Sequence, residues 1–577
     1  MMSRARAGVL LAAAVCVSVA ACGGGGSGSS ATGGASAAAP GQKGGTLYVI
    51  NLGPHNGLDP QASYVGADLE FASRVYARSL VTFSTGADAK LVPDLATDTG
   101  QMTDGGKTWT FTLTGKAAWQ DGQKVTCEDV KYGISRTFAT DVISNGPTYI
   151  LSFLDVPADA DGAPVYKGPY KGDGQAEFDK AITCAGETLT LHFKKPWADF
   201  NYAVASLAAY SPFRKDKDKG DKSLFDVFSN GPYQLEGTFD PNKGGTWVRN
   251  PNWDASTDPL RKALPDKIVD IEGIQSEQIY QRLLADGGED KNAITFVTAP
   301  ASILPQIASN PSASQRTTNP DAPFVDYIQP NVTSEAMKDP KVRQAFAMAT
   351  NRDAYVTANG GKQVMTPSYS VCNPALACYS KDFNPYGAPT QGDPAAAKKV
   401  LQDAGKTLPV NITVVYRKTA TRDAALAALK QTWDQAGFNV TLDGVASSGY
   451  YRTISAAAQK SKDAFWASWG ADWPSGSTVL PPLFDGRINL TETSSNQDYG
   501  WYNSDAVNQA IDAAYLIPDT AAREKAWGAI DQQISKDGAV VPLTSQKFTY
   551  VRGSNIKGYS ENNLFGGFPD LATIAVQ

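Results

Sequence analysis

The sequence predicts an α/β protein of several domains, and three observations carry that expectation. The chain has 577 residues, too many for one hydrophobic core and enough for about three or four domain-sized units. Between residues 393 and 477 helical and strand patterns alternate, the order expected of an α/β layer. Within that region the run 463–477 reads DAFWASWGADWPSGS, and its uncharged part, 465–469, is apolar on both alternating faces, as in a strand covered on both sides.

Composition narrows the function. With 42% hydrophobic, 10% aromatic and 19% charged residues the chain is an ordinary globular protein, and its formal net charge of -6 gives no electrostatic reason to expect nucleic acid. The one dense charge run, 214–222, alternates its signs and reads as a solvated loop. Only two histidines occur, His55 and His192, far apart and with no Cys or carboxylate at metal-ligand spacing. No metal, cofactor or Ser-His-Asp hydrolase site is therefore expected.

The amino terminus points to export. Arg4 and Arg6 precede an apolar run, 9–21, too short to span a bilayer but suited to a secretory signal. Val19-Ala20-Ala21-Cys22 fits the lipobox of bacterial lipoproteins, which makes 1–21 a signal peptide and Cys22 the lipidated residue; a plain signal peptide is the alternative. Residues 22–44 are almost all Gly, Ser and Ala, a flexible tether. No later segment is apolar and long enough to cross a membrane, so anchoring to the outer face of the cell membrane is expected.

The body then reads in order. Residues 45–50 are a β-rich opening; Asp104-Gly105-Gly106 is a hairpin turn into the half-buried strand 108–113. Thr126 caps a helix running through Tyr132 to Arg136. Asp155, Asp159 and Asp161 lack the acid that would close a calcium loop and read as a turn. Gly231-Pro232 turns the chain, 268–271 is a strand, Ser276 caps the next helix, and 294–297 is a short buried strand. Arg343 and Arg352, on helical sequence, read as structural ion-pair residues. Asp393-Pro394 starts a helix, 410–416 alternates as a strand and 422–436 is an amphipathic helix.

Gly470 ends the strand of the 463–477 run, and a single carboxylate, Asp472, follows beside Trp473. A lone acid among aromatic rings at a strand end can pair with an amine, while the strand edge offers backbone groups to an extended ligand. The other reading is that Asp472 caps a short helix near Pro474, with Trp466, Trp469 and Trp473 as core.

The W-x-A-D pattern of Trp469, Ala471 and Asp472 resembles the oligopeptide- and dipeptide-binding proteins of bacterial ABC importers, the family 5 solute-binding class. So do Leu91-Val92-Pro93-Asp94, the stretch from Asp104 through Phe111, Trp119-Gln120-Asp121-Gly122, Asn230-Gly231-Pro232-Tyr233 and Val342-Arg343-Gln344-Ala345. The resemblance covers nearly all of 45–577. It implies a two-lobed periplasmic-binding-protein-like fold (class II, Venus-flytrap) with an extra inserted domain. Domain I would comprise 45–76, 209–323 and 546–577, domain II 77–208 and domain III 324–545.

The resemblance further implies a non-enzymatic binder in which Asp472 receives a peptide's α-amine. Trp469, Gly470, Ala471 and Trp473 would stand beside it, with Tyr64, Val65, Gly66 and Tyr149 on the facing wall. A monomer handing its peptide to membrane permease subunits driven by a cytoplasmic ATPase is the implied setting. Cys127 with Cys184 and Cys372 with Cys378 are the favoured disulfides, since each pair falls within one implied domain. Residues 363–373 carry no cation for a ligand carboxylate, which favours longer peptides. A non-peptide solute (metal chelate, haem, sugar or opine) and a secreted hydrolase are the alternatives.

Overall fold

Strand Thr46–Ile50 opens a five-stranded mixed sheet, parallel to Lys267–Ile271 and Ala293–Ile294 and continued antiparallel by Gly244–Arg249 and Tyr233–Asp240. The computed structural model describes residues 41–577 except 54, 87 and 88. The expected signal peptide, the lipidated Cys22 and most of the tether lie outside the described residues. No helix among the described residues is long and apolar enough to cross a membrane.

A second sheet of four antiparallel strands holds the hairpin from Gln101–Thr103 to Thr108–Thr112, followed by Thr188–His192 and Ile182–Ala185. Helix Cys127–Arg136 packs on it, begun by a capping box in which Thr126 Oγ1 accepts from Asp129 N and Asp129 Oδ2 accepts from Thr126 N. The Cys127–Cys184 disulfide ties this helix to the strand Ile182–Ala185.

The third sheet has six strands in the order Met365–Pro367, Val541–Lys547, Asp321–Pro330, Ala464–Gly470, Val410–Arg417, Phe438–Val445. Helix Ala420–Gln435 connects the last two as a parallel crossover. Strand Ala464–Gly470 is central: residues 464–467 are fully buried, which is why its sequence is apolar on both faces. The Cys372–Cys378 disulfide lies in this core.

Each sheet has its own hydrophobic core. One draws on residues 325–543 alone. Another draws on 69–210 plus two intruders, Trp473 and Phe565. The core around the first sheet gathers residues 47–77, 233–296 and 556–576, so the end of the chain returns to the start. The chain crosses between the first and third sheets at Asp321–Pro330 and again after Val541–Lys547, and Thr317–Thr318 pairs with Tyr550–Val551 beside these crossings.

Several local expectations are corrected. Helix Ser276–Ala285 has Gln275, not Ser276, at its cap position, with no side-chain bond. The strand expected at 294–297 is only Ala293–Ile294. The run 214–222 is not simply solvated: the buried Arg214 pairs with Asp121 at 3.1 Å, and Asp218 pairs with the buried Arg136 at 3.0 Å. Alternating charge hid this because burial depends on partners far along the chain. Arg343 and Arg352 are structural but not ion-paired among the described residues. Arg343 donates to the carbonyls of Met337 and Asp537, and Arg352 to those of Ser368 and Pro542.

Candidate functional site

The strand Ala464–Gly470 delivers Asp472 to the space between the sheets. Its pairing with Asp321–Pro330 runs to Gly470 opposite Phe324, whereas Val410–Arg417 pairs with it only at Ala464 and Phe465. Past Phe465 the two parallel strands part, and ligands of α/β sheets bind in such crevices beyond the carboxyl ends of strands. Gly470 is required here, since a Cβ would collide with the Phe324 ring. Thr478 then fixes the turn: its carbonyl accepts from Trp469 Nε1 at 2.9 Å and its hydroxyl from Asp472 N at 2.8 Å. This leaves Asp472 outside the helical turn Gly476–Thr478, whose cap is Ser475.

The facing wall comes from the other end of the sequence. Asp59, at the start of the loop that ends in Tyr64, Val65 and Gly66, is bound by the buried Arg136 at 2.6 Å. Gly66 begins helix Gly66–Val75 with room for no side chain, since a Cβ would lie 2.7 Å from the Phe568 ring. Tyr64 donates its hydroxyl to Asp472 Oδ2 at 2.9 Å, and Tyr149, at the start of helix Tyr149–Phe153, donates to the same oxygen. Asp472 Oδ1 accepts no hydrogen bond among the described residues.

Burial pushes the Asp472 carboxyl above its ordinary value, and the hydrogen bonds from Tyr149 and Tyr64 oppose that rise. Burial and the neighbouring Asp472 raise both tyrosines, so they act as neutral donors. Asp472 and Tyr64 edge a cavity of about 430 Å³, bordered also by Val65, Gly66, Trp469, Gly470 and Ala471, whereas Tyr149 reaches Asp472 from behind without lining it. Phe324, Leu564, Phe565 and Phe568 complete its apolar wall, and among the described residues Asp472 is the only charged one lining it.

Trp473 is placed elsewhere. It is 4% exposed, with its ring edge-on to Tyr149 at 4.9 Å and tilted 6.1 Å from Trp197, inside the core of the second sheet. A ring flanked by other aromatics gains more from that core than from a wet wall. Beside it the buried Asp199 accepts from Ser475 at 2.8 Å, from Ser477 at 2.6 Å and from Arg523 Nε at 2.8 Å. The segment that carries Asp472 is thus bolted to the second sheet.

Thr478, Asp199, Arg523 and the aromatic 564–568 segment are the contributors that sequence reading missed. Only the aromatic cluster near the carboxyl end offered a signal. Among the described residues one group has the atoms to hold a metal: His55, Asp270 and Glu272. His55 Nδ1 lies 2.6 Å from Asp68 and Nε2 2.7 Å from Asp270, and these carboxylates hold the imidazole protonated well above its ordinary range despite its burial. Both nitrogens are committed as donors, so the cluster is a buried charge clamp.

A sequence profile described as "Bacterial extracellular solute-binding proteins, family 5 Middle" matches residues 90–490. The glutathione-binding protein GsiB of Salmonella choleraesuis (strain SC-B67) is 24% identical over 478 residues, 79% of this chain and 81% of that protein. Among solved structures, a clavulanic acid biosynthesis oligopeptide binding protein 2 superposes with a TM-score of 0.83 at 24% identity, over 94% of this chain and 99% of that one. The periplasmic binding protein DppA from Helicobacter pylori, solved with the peptide STSA, gives 0.66 at 18% identity over 93% and 98%. The fold is the two-lobed, α/β periplasmic-binding-protein fold with an additional domain.

Proposed function

This chain belongs to the bacterial extracellular solute-binding proteins of family 5, and from that premise we propose that it captures peptides between its lobes for an ABC importer. Asp472 is the receptor for the peptide's α-amine. The observation that carries this reading is the placement of one carboxylate on a cavity wall where, among the described residues, one of its oxygens accepts no hydrogen bond and no other charge stands. An ammonium entering there replaces water with a charge-assisted bond, strongest once closure excludes solvent. Trp469, Gly470, Ala471, Tyr64, Val65, Gly66 and Tyr149 shape the contact, and the edge beyond Phe465 has no strand partner, so it offers an extended ligand its backbone groups other than the Trp466 and Ser468 carbonyls, which accept from the Tyr450 and Tyr451 hydroxyls. Trp473 acts through the core and not as a wall.

Further support comes from the printed ligands of the relatives: glutathione for GsiB, oligopeptide for the clavulanic acid protein and the peptide STSA for DppA. In this reading the protein is a monomeric binder with no catalysis and no cofactor, held to the outer face of the cell membrane by a lipid on Cys22. It delivers peptide to permease subunits powered by a cytoplasmic ATPase. Domains I and II form one lobe and domain III the other, hinged at the strand crossings near 321 and 547.

Calorimetric titration with tri- to hexapeptides tests this, alongside Asp472→Ala and N-acetylated peptides. Loss of the amine contact is expected to cost about a hundredfold in affinity. Unchanged binding in both arms makes Asp472 structural, and no binding of any peptide moves the reading to a non-peptide solute.

A further inference from the structure

The turn that follows Asp472 meets a second carboxylate besides Asp199. Glu524, on helix Thr520–Lys536, is 4% exposed. Its Oε2 accepts from the Gly476 amide at 3.1 Å, and its Oε1 lies 2.6 Å from Ser475 Oγ. Gly476 permits this approach, since a Cβ there would lie 2.4 Å from the Cβ of Trp527 on the same helix. That helix joins the core of the third sheet through Trp527, Ile530 and Ile534, whereas Asp199 precedes Phe200 in the core of the second. The junction of Asp199, Ser475, Ser477, Arg523 and Glu524 therefore ties the two sheets together.

Counting hydrogens fixes its protonation. The Ser475 hydroxyl has one hydrogen and two lone pairs. One lone pair accepts from the Ser477 amide at 3.2 Å, and the hydrogen serves only one carboxylate, Asp199 Oδ2 at 2.8 Å or Glu524 Oε1 at 2.6 Å. Both contacts hold only if one carboxyl brings a hydrogen of its own. Asp199 is the ionised one: Arg523 pairs with it at 2.5 Å, and Ser477 Oγ, which accepts from Trp473 Nε1 at 3.1 Å, donates to it at 2.6 Å. Glu524 makes no ion pair among the described residues. It presents the two halves of a neutral acid, a hydroxyl aimed at Ser475 and a carbonyl that takes the Gly476 amide.

The charged groups facing Glu524 are Asp199 and Arg523. Tyr202 and Tyr515, raised by burial and by Asp199, are neutral neighbours of the junction, and neither the turn 473–478 nor helix Leu480–Phe484 has a titratable side chain. Burial, and then Asp199, push the Glu524 carboxyl up to about 7 against the pull of its hydrogen bonds and of Arg523.

We infer that Glu524 is a positioning residue for the binding site: its proton holds the turn that presents Asp472, and losing that proton loosens the site as pH rises. The inference rests on the peptide-binding reading given above and adds a pH dependence to the same site. The turn runs on to Thr478, whose carbonyl and hydroxyl fix Trp469 and Asp472, so a change at Ser475 and Gly476 reaches the carboxylate within a few residues. Once Glu524 ionises, two negative charges face one guanidinium, and Ser475 has one hydrogen for both. The carboxyl titrates near its ordinary value of about 4 when the junction is open and at about 7 when it is formed. Formation is therefore fully favoured below about pH 4 and loses that advantage as pH rises to about 7.

The test titrates the full-length protein with tri- to hexapeptides between about pH 5 and about pH 8, alongside Glu524→Gln, whose amide donates to Ser475 and accepts from Gly476 throughout. Asp472, the peptide's own amine and the other titrating groups are common to both proteins, so the ratio of the two affinities isolates Glu524. The advantage of Glu524→Gln is expected to grow about tenfold across that range. In parallel, hydrogen exchange of residues 472–480 in the ligand-free proteins, corrected for its intrinsic pH dependence, should quicken with rising pH in the wild type alone. A ratio that stays constant overturns the inference and leaves the peptide reading standing. If no peptide binds, that reading falls and exchange decides the junction, which stands if the wild type alone quickens and falls if it does not. The wild-type exchange profile needs no variant to fold.

Discussion

Asp472 accepts a hydrogen bond at 2.9 Å from Tyr64, a residue 408 positions earlier in the chain. Tyr149 completes the contact from a segment packed on the second sheet, so one carboxylate oxygen gathers three distant stretches of the chain. The bond does two jobs: it orients the carboxylate and favours its charged form.

Removing a donor should therefore be visible in a pH profile. The Asp472 pKa is raised by burial and held back by the two tyrosines, so Tyr149→Phe raises it further. Peptide binding, which needs the carboxylate ionised, should then fail at a higher pH than in the wild type. The acid limb of affinity against pH is expected to move to higher pH. A superimposable limb would mean that Tyr149 does not control Asp472.

The bolt between Asp199 and Arg523 is wholly buried. Asp199→Asn leaves the guanidinium uncompensated and should cost about 3–5 kcal/mol in chemical denaturation. The double variant Asp199→Asn/Arg523→Met should recover most of that loss, because it removes the stranded charge. Equal losses in single and double variants would assign the effect to packing.

Asp531 is buried against Ser370 and the Val371 amide, and burial pushes its carboxyl up to about 7. The folded chain therefore keeps a proton that the unfolded chain, with its aspartate near 4, has released. Stability from this group is fully present below the unfolded pKa and declines as pH rises from about 4 to about 7. Asp531→Asn should remove this decline, which accumulates to a few kcal/mol of unfolding free energy between about pH 4 and about pH 7. An unchanged slope measured by urea titration would exclude the group.

The two disulfides should differ in worth. Cys127 and Cys184 are 57 residues apart, against 6 for Cys372 and Cys378. Loop-closure entropy makes the first worth about 4 kcal/mol and the second about 2 kcal/mol. Paired Cys→Ser variants, compared by melting temperature, should keep that order.

By itself the sequence determined the family and the α/β class, the helix cap at Thr126, the hairpin at Asp104-Gly105-Gly106 and the burial of Phe465, Trp466 and Ala467, whereas Ser468 and Trp469, expected to be covered on both sides as well, are half-buried. These are local: periodicity, turn chemistry and motif spacing register within a few residues. Asp472 was legible because a lone acid after a buried strand breaks its own pattern. Tertiary structure alone decided that Trp473 joins the core of the second sheet, that Asp199 bolts the turn at Ser475 and Ser477, and that Arg417 and Arg422 share a chamber with Phe324. Those outcomes hang on contacts between segments far apart in the chain, where the free energy comes from matched shape and buried charge between stretches whose local patterns say nothing of each other.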